Sequence, residues 1–158
     1  MGDYQMSRFC WLEIDLDCLR DNFLALRQMA GPDVKIMPAI KTNAYGHGIV
    51  ACAKVLEEAG ADYLGVGNVD EGIALRKSGV KMPILIFASN LIQETASLYV
   101  EYDLMPTILS LDAAKAFSEK ANKPSKIFVK IDTEIGKFLY LPEESAKFLG
   151  IDADASPP

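Results

Sequence analysis

Short apolar runs alternate with helix-patterned segments along most of this chain, and that alternation limits its fold more than any other feature. Five runs read as strands: residues 35–40, 63–66, 84–87, 105–109 and 126–131. Helical patterns fill the gaps, from about residue 49 to Gly60, then over 70–77, 92–99 and 111–121. Strands separated by helices at this spacing form βα units and a parallel sheet. The run Ile84-Leu85-Ile86-Phe87 is apolar without alternation, as suits a strand covered on both faces. Before the first unit, residues 9–15 read as a further strand. Asp15 or Asp17 then caps a helix with its apolar face at Leu19, Phe23, Leu26 and Met29, stopped by Gly31-Pro32. Ser110 is positioned to cap the helix over 111–121. Pro142 opens a last helix at its favoured first-turn position. The expected fold class is α/β: a partial (β/α)8 TIM barrel of roughly the first five βα units, preceded by the N-terminal strand and helix. A closed barrel of this type takes eight units.

Half of the 158 residues are hydrophobic and 24% are charged, with a formal net charge of −6. That composition suits one domain with a sizeable core. The acidic balance argues against a nucleic-acid partner. The nearest basic cluster, Arg76, Lys77 and Lys81, sits at a helix end where cations suit the dipole. No apolar run approaches the length of a membrane span, and no membrane partner is expected. Residues 1–8 are polar and show no signal-peptide core. Met6 stands where myristoylation after Gly2 would need Ser or Thr. Cys10, Cys18 and Cys52 are odd in number and lack metal-type spacing, which reads as reduced thiols, a cytoplasmic location and no metal. Residues 9–150 are expected to form the domain, with 1–8 and 151–158 as flexible ends.

The chemistry concentrates in Ala39-Ile40-Lys41-Thr42-Asn43-Ala44-Tyr45-Gly46-His47-Gly48. Here a strand hands over to a lysine and then to a polar turn. α/β barrels build their sites at the C-terminal ends of strands. A lysine amine drawn partly out of water is neutral often enough to attack an aldehyde. The stretch resembles the cofactor-lysine motif of alanine racemases, a hydrophobic pair followed by Lys-Ala-Asn-Ala-Tyr-Gly-His-Gly. Only Thr42 differs. Basic amino-acid decarboxylases and small pyridoxal-phosphate homeostasis proteins share the lysine but lack the Tyr-Gly-His-Gly continuation. The opening Trp11-x-Glu13-Ile14-Asp15-Leu16-Asp17-x-Leu19 resembles the same family. By itself, Trp11 reads as core or interface packing.

A second resemblance lies at the end of the fifth strand, in Val129-Lys130-Ile131-Asp132-Thr133-Glu134-Ile135-Gly136-Lys137, followed by Pro142-Glu143-Glu144. The family's form is Lys-Val-Asp-Thr-Gly-Met-Gly-Arg-Leu-Gly. Lys130, Asp132, Thr133 and Gly136 match. Lys137 stands where the family has its arginine, and a mobile point charge does not replace a planar fork. Glu134 replaces a glycine, Ile135 a methionine, and Leu139 the closing glycine.

The resemblance implies pyridoxal 5'-phosphate as cofactor, a Schiff base on Lys41, and racemisation of alanine. Tyr45 would hydrogen-bond the cofactor phosphate, Lys137 would take the arginine's place near the ring, and Lys130 would support it. Asn43 shapes the turn or touches the cofactor, and His47 is expected to orient the loop rather than carry protons. Without the family, Tyr45 reads as mouth packing, and Lys130 and Lys137 as strand-end charges. Alanine racemases are homodimers with a C-terminal β domain that supplies a second base from the partner. Neither that domain nor the late strands are recognisable here, so a fragment inactive by itself is expected, partnered by a second copy or a complementing C-terminal chain. The reading from another class is a non-catalytic half-barrel that completes its sheet with another chain. A third reading, a pyridoxal-phosphate decarboxylase fragment, explains Lys41 alone.

Overall fold

The computed structural model describes residues 11–89 and 91–131. The first helix, α1 (Leu16–Ala30), starts where Asp15 Oδ1 accepts the Cys18 N–H at 3.0 Å and stops at Gly31. Next come α2 (Lys41–Tyr45), a left-handed turn, and α3 (Ile49–Glu58). The regular βα alternation follows: β1 (Leu64–Val66), α4 (Val69–Lys77), β2 (Ile84–Ile86), α5 (Ile92–Glu101), β3 (Met105–Ile108), α6 (Leu111–Lys120) and β4 (Phe128–Val129). Ser110 caps α6 by accepting the Ala113 N–H at 3.0 Å, as the sequence predicts.

The strands form one parallel sheet in sequence order, β1-β2-β3-β4, with Leu64 opposite Ile84, Leu85 opposite Met105 and Thr107 opposite Phe128. The segment before α2 adds itself beyond β1. Ile40 donates its N–H to Gly65 O, and Gly65 donates to Pro38 O. Every residue of β1, β2 and β3 is buried, so these strands, the apolar run of β2 among them, are covered on both faces. The sheet is also curled. Tyr63 at the entry to β1 meets Phe128 of β4 edge-on, with ring centroids 6.1 Å apart. Three strand spacings would hold those residues roughly 14 Å apart in a flat sheet with side chains standing parallel.

Several expectations are corrected. Residues 35–40 do not form a full strand. They make a single parallel bridge, Ala39 to Gly65, because Pro38 has no N–H and can contribute only its carbonyl to the ladder. The strand expected over 126–131 shrinks to Phe128–Val129, with Ile127 and Ile131 exposed. Residues 11–15, the described part of the expected first strand, pair with no described neighbour. Trp11 there is 63% exposed, so it is not core packing. In α1, Phe23 is buried, but Leu26 and Met29 are exposed, because α3 covers only one stripe of that helix. The helix expected after Pro142 lies outside the described residues.

Candidate functional site

Lys41 stands where the bridging segment ends, at the C-terminal end of the sheet. The four residues after it, Thr42, Asn43, Ala44 and Tyr45, all have φ between 52° and 55°. This is the left-handed region, where a side chain crowds its own carbonyl, at roughly 1–2 kcal/mol per residue. Thr42 is the most strained of the four, because a branched Cβ fits that region worst. Gly46, at φ 88°, lets the chain leave the turn, and three carbonyls of the turn converge on its N–H. Such a run persists only where its surroundings over-determine it.

The surroundings do so through three side chains. Asn43 Oδ1 accepts the Ile49 N–H at 2.9 Å and so ties the turn to the start of α3. His47 Nδ1 lies 2.8 Å from Ala44 O, and Ala44 itself is buried. Glu71 reaches across from α4: Oε1 accepts the Asn43 N–H at 2.9 Å, and Oε2 accepts the Gly67 N–H at 2.8 Å. Glu71 was missed in reading the sequence. Its signal is the spacing Asn68-x-x-Glu71, a capping-box pattern, with Asn68 Oδ1 accepting the Glu71 N–H at 3.0 Å. Here the carboxylate bonds the N–H one residue before the cap, and the turn as well.

Held this way, Lys41 is exposed, and its Nζ lies 6.0 Å from the centre of the Tyr45 ring, the outer limit of a cation–π contact. Tyr45 is 60% exposed. Among the described residues Lys41 makes no ion pair, and the carboxylate of Glu71 is occupied by backbone N–H groups. An accessible primary amine beside an accessible phenol, on a rigid turn at the sheet's C-terminal end, suits a ligand with an aldehyde and an anionic group. The residues therefore fit pyridoxal phosphate.

Behind the turn, toward α1, is a cavity of about 460 Å³ lined by Ile14, Leu19, Ile40, Ala44, His47 and Cys52 among others. Cys18 also lines it. Burial pushes the Cys52 thiol above its ordinary value, and the Asp15 carboxylate, by hydrogen bond and charge, does the same for Cys18. Both stay protonated, so neither thiol is an activated nucleophile.

The structure thus brings Lys41, Asn43, Tyr45 and His47 together on one turn. Lys130 follows β4 at the same end of the sheet and donates its N–H to Ile108 O at 3.1 Å. Lys137, Asp132, Thr133, Glu134 and Gly136 lie outside the described residues.

Residues 14–153 match the family model described as alanine racemase, N-terminal domain. The chain is 36% identical to the alanine racemase of Halothermothrix orenii, an alignment covering 92% of this chain and 39% of that protein. It is 38% identical to the alanine racemase of Methanococcus maripaludis, covering 89% and 38%. Among solved structures it resembles the alanine racemase of Clostridium difficile 630, with a TM-score of 0.81 and 35% identity over 85% of this chain and 38% of that one. The chain spans about two fifths of the length of the curated relatives it matches.

Proposed function

This chain belongs to the alanine racemase family, and from that premise we propose that it is the cofactor-binding part of an enzyme that interconverts L- and D-alanine. The observation that carries the reading is the exposed Lys41 amine at the head of a braced left-handed turn, beside the Tyr45 phenol. When bound, pyridoxal phosphate supplies the electron sink that lets the Cα–H bond of an amino acid ionise. Lys41 is the residue that would hold the cofactor through Nζ, and its free amine would accept or return a proton on one face of the substrate. The Tyr45 hydroxyl would donate to a phosphate oxygen of the bound cofactor. His47 is engaged with Ala44 O through Nδ1 and orients the turn. Asn43, with both its amide N–H and its Oδ1 in hydrogen bonds of the turn, acts as a brace. Lys137, in the place of the family's arginine, would act near the cofactor ring, and Lys130 would support it.

A closed barrel of this type takes eight parallel strands, against four and a bridging segment among the described residues, and racemisation needs a base on the opposite face. These 158 residues therefore bind the cofactor without turning over alanine by themselves. A second copy, or a chain carrying the rest of the barrel, completes the site. One sequence observation favours a second reading, a non-catalytic half-barrel: Lys137 and Glu134 stand where the family motif has arginine and glycine.

The test uses the purified chain from a host lacking alanine racemase. Pyridoxal phosphate is titrated by absorbance and D-alanine formation is followed from L-alanine. The expected result is saturable cofactor binding, lost in Lys41→Ala, with no D-alanine formed. Turnover by the chain alone would sink the incompleteness claim. Binding that survives in Lys41→Ala, or assembly on gel filtration indifferent to the cofactor, would favour the half-barrel reading.

A further inference from the structure

We propose that Glu71 is the positioning residue for Lys41: its carboxylate clamps the left-handed turn to the β1–α4 loop and so fixes where the lysine amine points. This role rests on Lys41 being the amine that takes the cofactor.

The argument starts from the turn. Four consecutive non-glycine residues at positive φ do not hold that shape unaided. Two of the three side chains that brace them, Asn43 and His47, belong to the same stretch of chain and would move with it. Glu71 does not. It sits in the first turn of α4, whose Leu75 is fully buried under the sheet, so its position is set by the core. Both of its oxygens face backbone N–H groups, Asn43 at 2.9 Å and Gly67 at 2.8 Å. A carboxylate between two N–H donors is a charge-assisted bridge, roughly twice as strong as a neutral one.

The second observation is the space beside the bridge. A Cβ on Gly67 would lie 3.2 Å from Glu71 Oε2 and 3.4 Å from Lys41 Cβ. The loop, the carboxylate and the stem of the lysine are therefore packed against one another. A side chain at residue 67 would push on the clamp and on the lysine together. Glu71 makes no ion pair with Lys41, so it sets the direction of the amine through the backbone without neutralising it.

The test compares the wild-type chain with Glu71→Ala and Glu71→Gln, at a temperature where circular dichroism shows each to be folded. Backbone amide exchange is read by NMR at Asn43 and Gly67. Separately, each chain is treated with pyridoxal phosphate, reduced with borohydride, and the share of label on Lys41 is counted. In the wild type both amides should exchange about a hundredfold slower than in an unstructured peptide. Glu71→Ala should free both, and lower the labelling of Lys41 about tenfold while other lysines label as before, because a small misplacement of a reacting group costs that much or more. Glu71→Gln keeps one acceptor oxygen and should free only one amide, with an intermediate loss of label. It also serves if the alanine variant does not fold. A residue that merely stabilised the fold would change the melting temperature and leave the folded chain's labelling alone. Unchanged amide exchange in both variants would overturn the clamp. Freed amides with wild-type labelling of Lys41 would overturn the positioning role. Protected wild-type amides with no label on Lys41 in any variant would leave the clamp standing, but would overturn the cofactor reading and the positioning role with it.

Discussion

The two ends of this sheet use one device for different ends. At the N-terminal ends of the strands, Arg27 donates to Val34 O at 2.6 Å and Gly60 O at 3.2 Å, and pairs with Asp62. Asp62 also accepts the Ile36 N–H at 2.8 Å and pairs with Lys35. Half-buried Arg76 donates to the carbonyls of Val80, Met82, Tyr102 and Asp103. Glu57 Oε1 accepts the N–H groups of Lys81 and Met82. At the C-terminal ends, Glu71 and Asn43 likewise serve backbone N–H groups. What differs is the backbone they serve. At the N-terminal end Asp103, at φ 50°, is the one described non-glycine residue at positive φ, whereas at the other end four such residues stand in a row beside Lys41. One end holds ordinary loops in place. The other holds a strained loop, and strain concentrates where a side chain must be presented in one direction.

That contrast can be broken most forcefully at Arg76. Arg76→Met keeps the apolar stem but strips the donors from four carbonyls. It should destabilise the chain by about 3 kcal/mol, in line with the loss of charged hydrogen bonds to partly buried groups. Urea unfolding should show a lower midpoint at unchanged slope. The wild-type pattern of amide protection around Asn43 should survive, since that end is braced separately.

A smaller, pH-dependent effect belongs to Asp62. The Ile36 N–H, with Arg27 and Lys35, holds its carboxyl well below the usual carboxylate range in the folded chain. The folded value is depressed, so the stabilisation is fully present above the unfolded value, about pH 4, and is lost as pH falls further toward the folded value. The midpoint of urea unfolding should therefore fall more steeply between pH 5 and pH 3, roughly the range around the unfolded value, in the wild type than in Asp62→Asn. Equal slopes would remove Asp62 from the account of the N-terminal end.

The smallest effect sharpens the other side. Thr42→Gly relieves a branched residue at φ 55°. The relief, about 1–2 kcal/mol, is offset by about 0.5–1 kcal/mol from the greater freedom of glycine in the unfolded chain. A small rise in melting temperature is expected. A fall would mean that the turn is not strained at Thr42.

Much of this was legible in the sequence because it depends on local pattern. α3 to α6 lie within about two residues of their expected bounds, an ordinary margin for helix ends. Asp15 and Ser110 cap the helices assigned to them. The β2 run announced its burial by lacking alternation. The sequence also set Lys41, Asn43, Tyr45 and His47 side by side. It did not show that the turn is left-handed. Thr42 reads there as a small replacement for alanine, although its branching matters more than its size. It did not show Glu71 as a brace, because its partner Asn43 lies in another element and no local pattern joins them. The bridging segment is over-read when Pro38 is given no weight, because a proline inside an apolar run removes a ladder donor.

The most direct test of the central claim, that the left-handed turn exists to present one lysine, is a peptide map of the wild-type chain after pyridoxal phosphate and borohydride. The account predicts a pyridoxyl group on Lys41 and no comparable label on exposed lysines elsewhere, such as Lys54 and Lys77. Label scattered among surface lysines, or none at all, would contradict it.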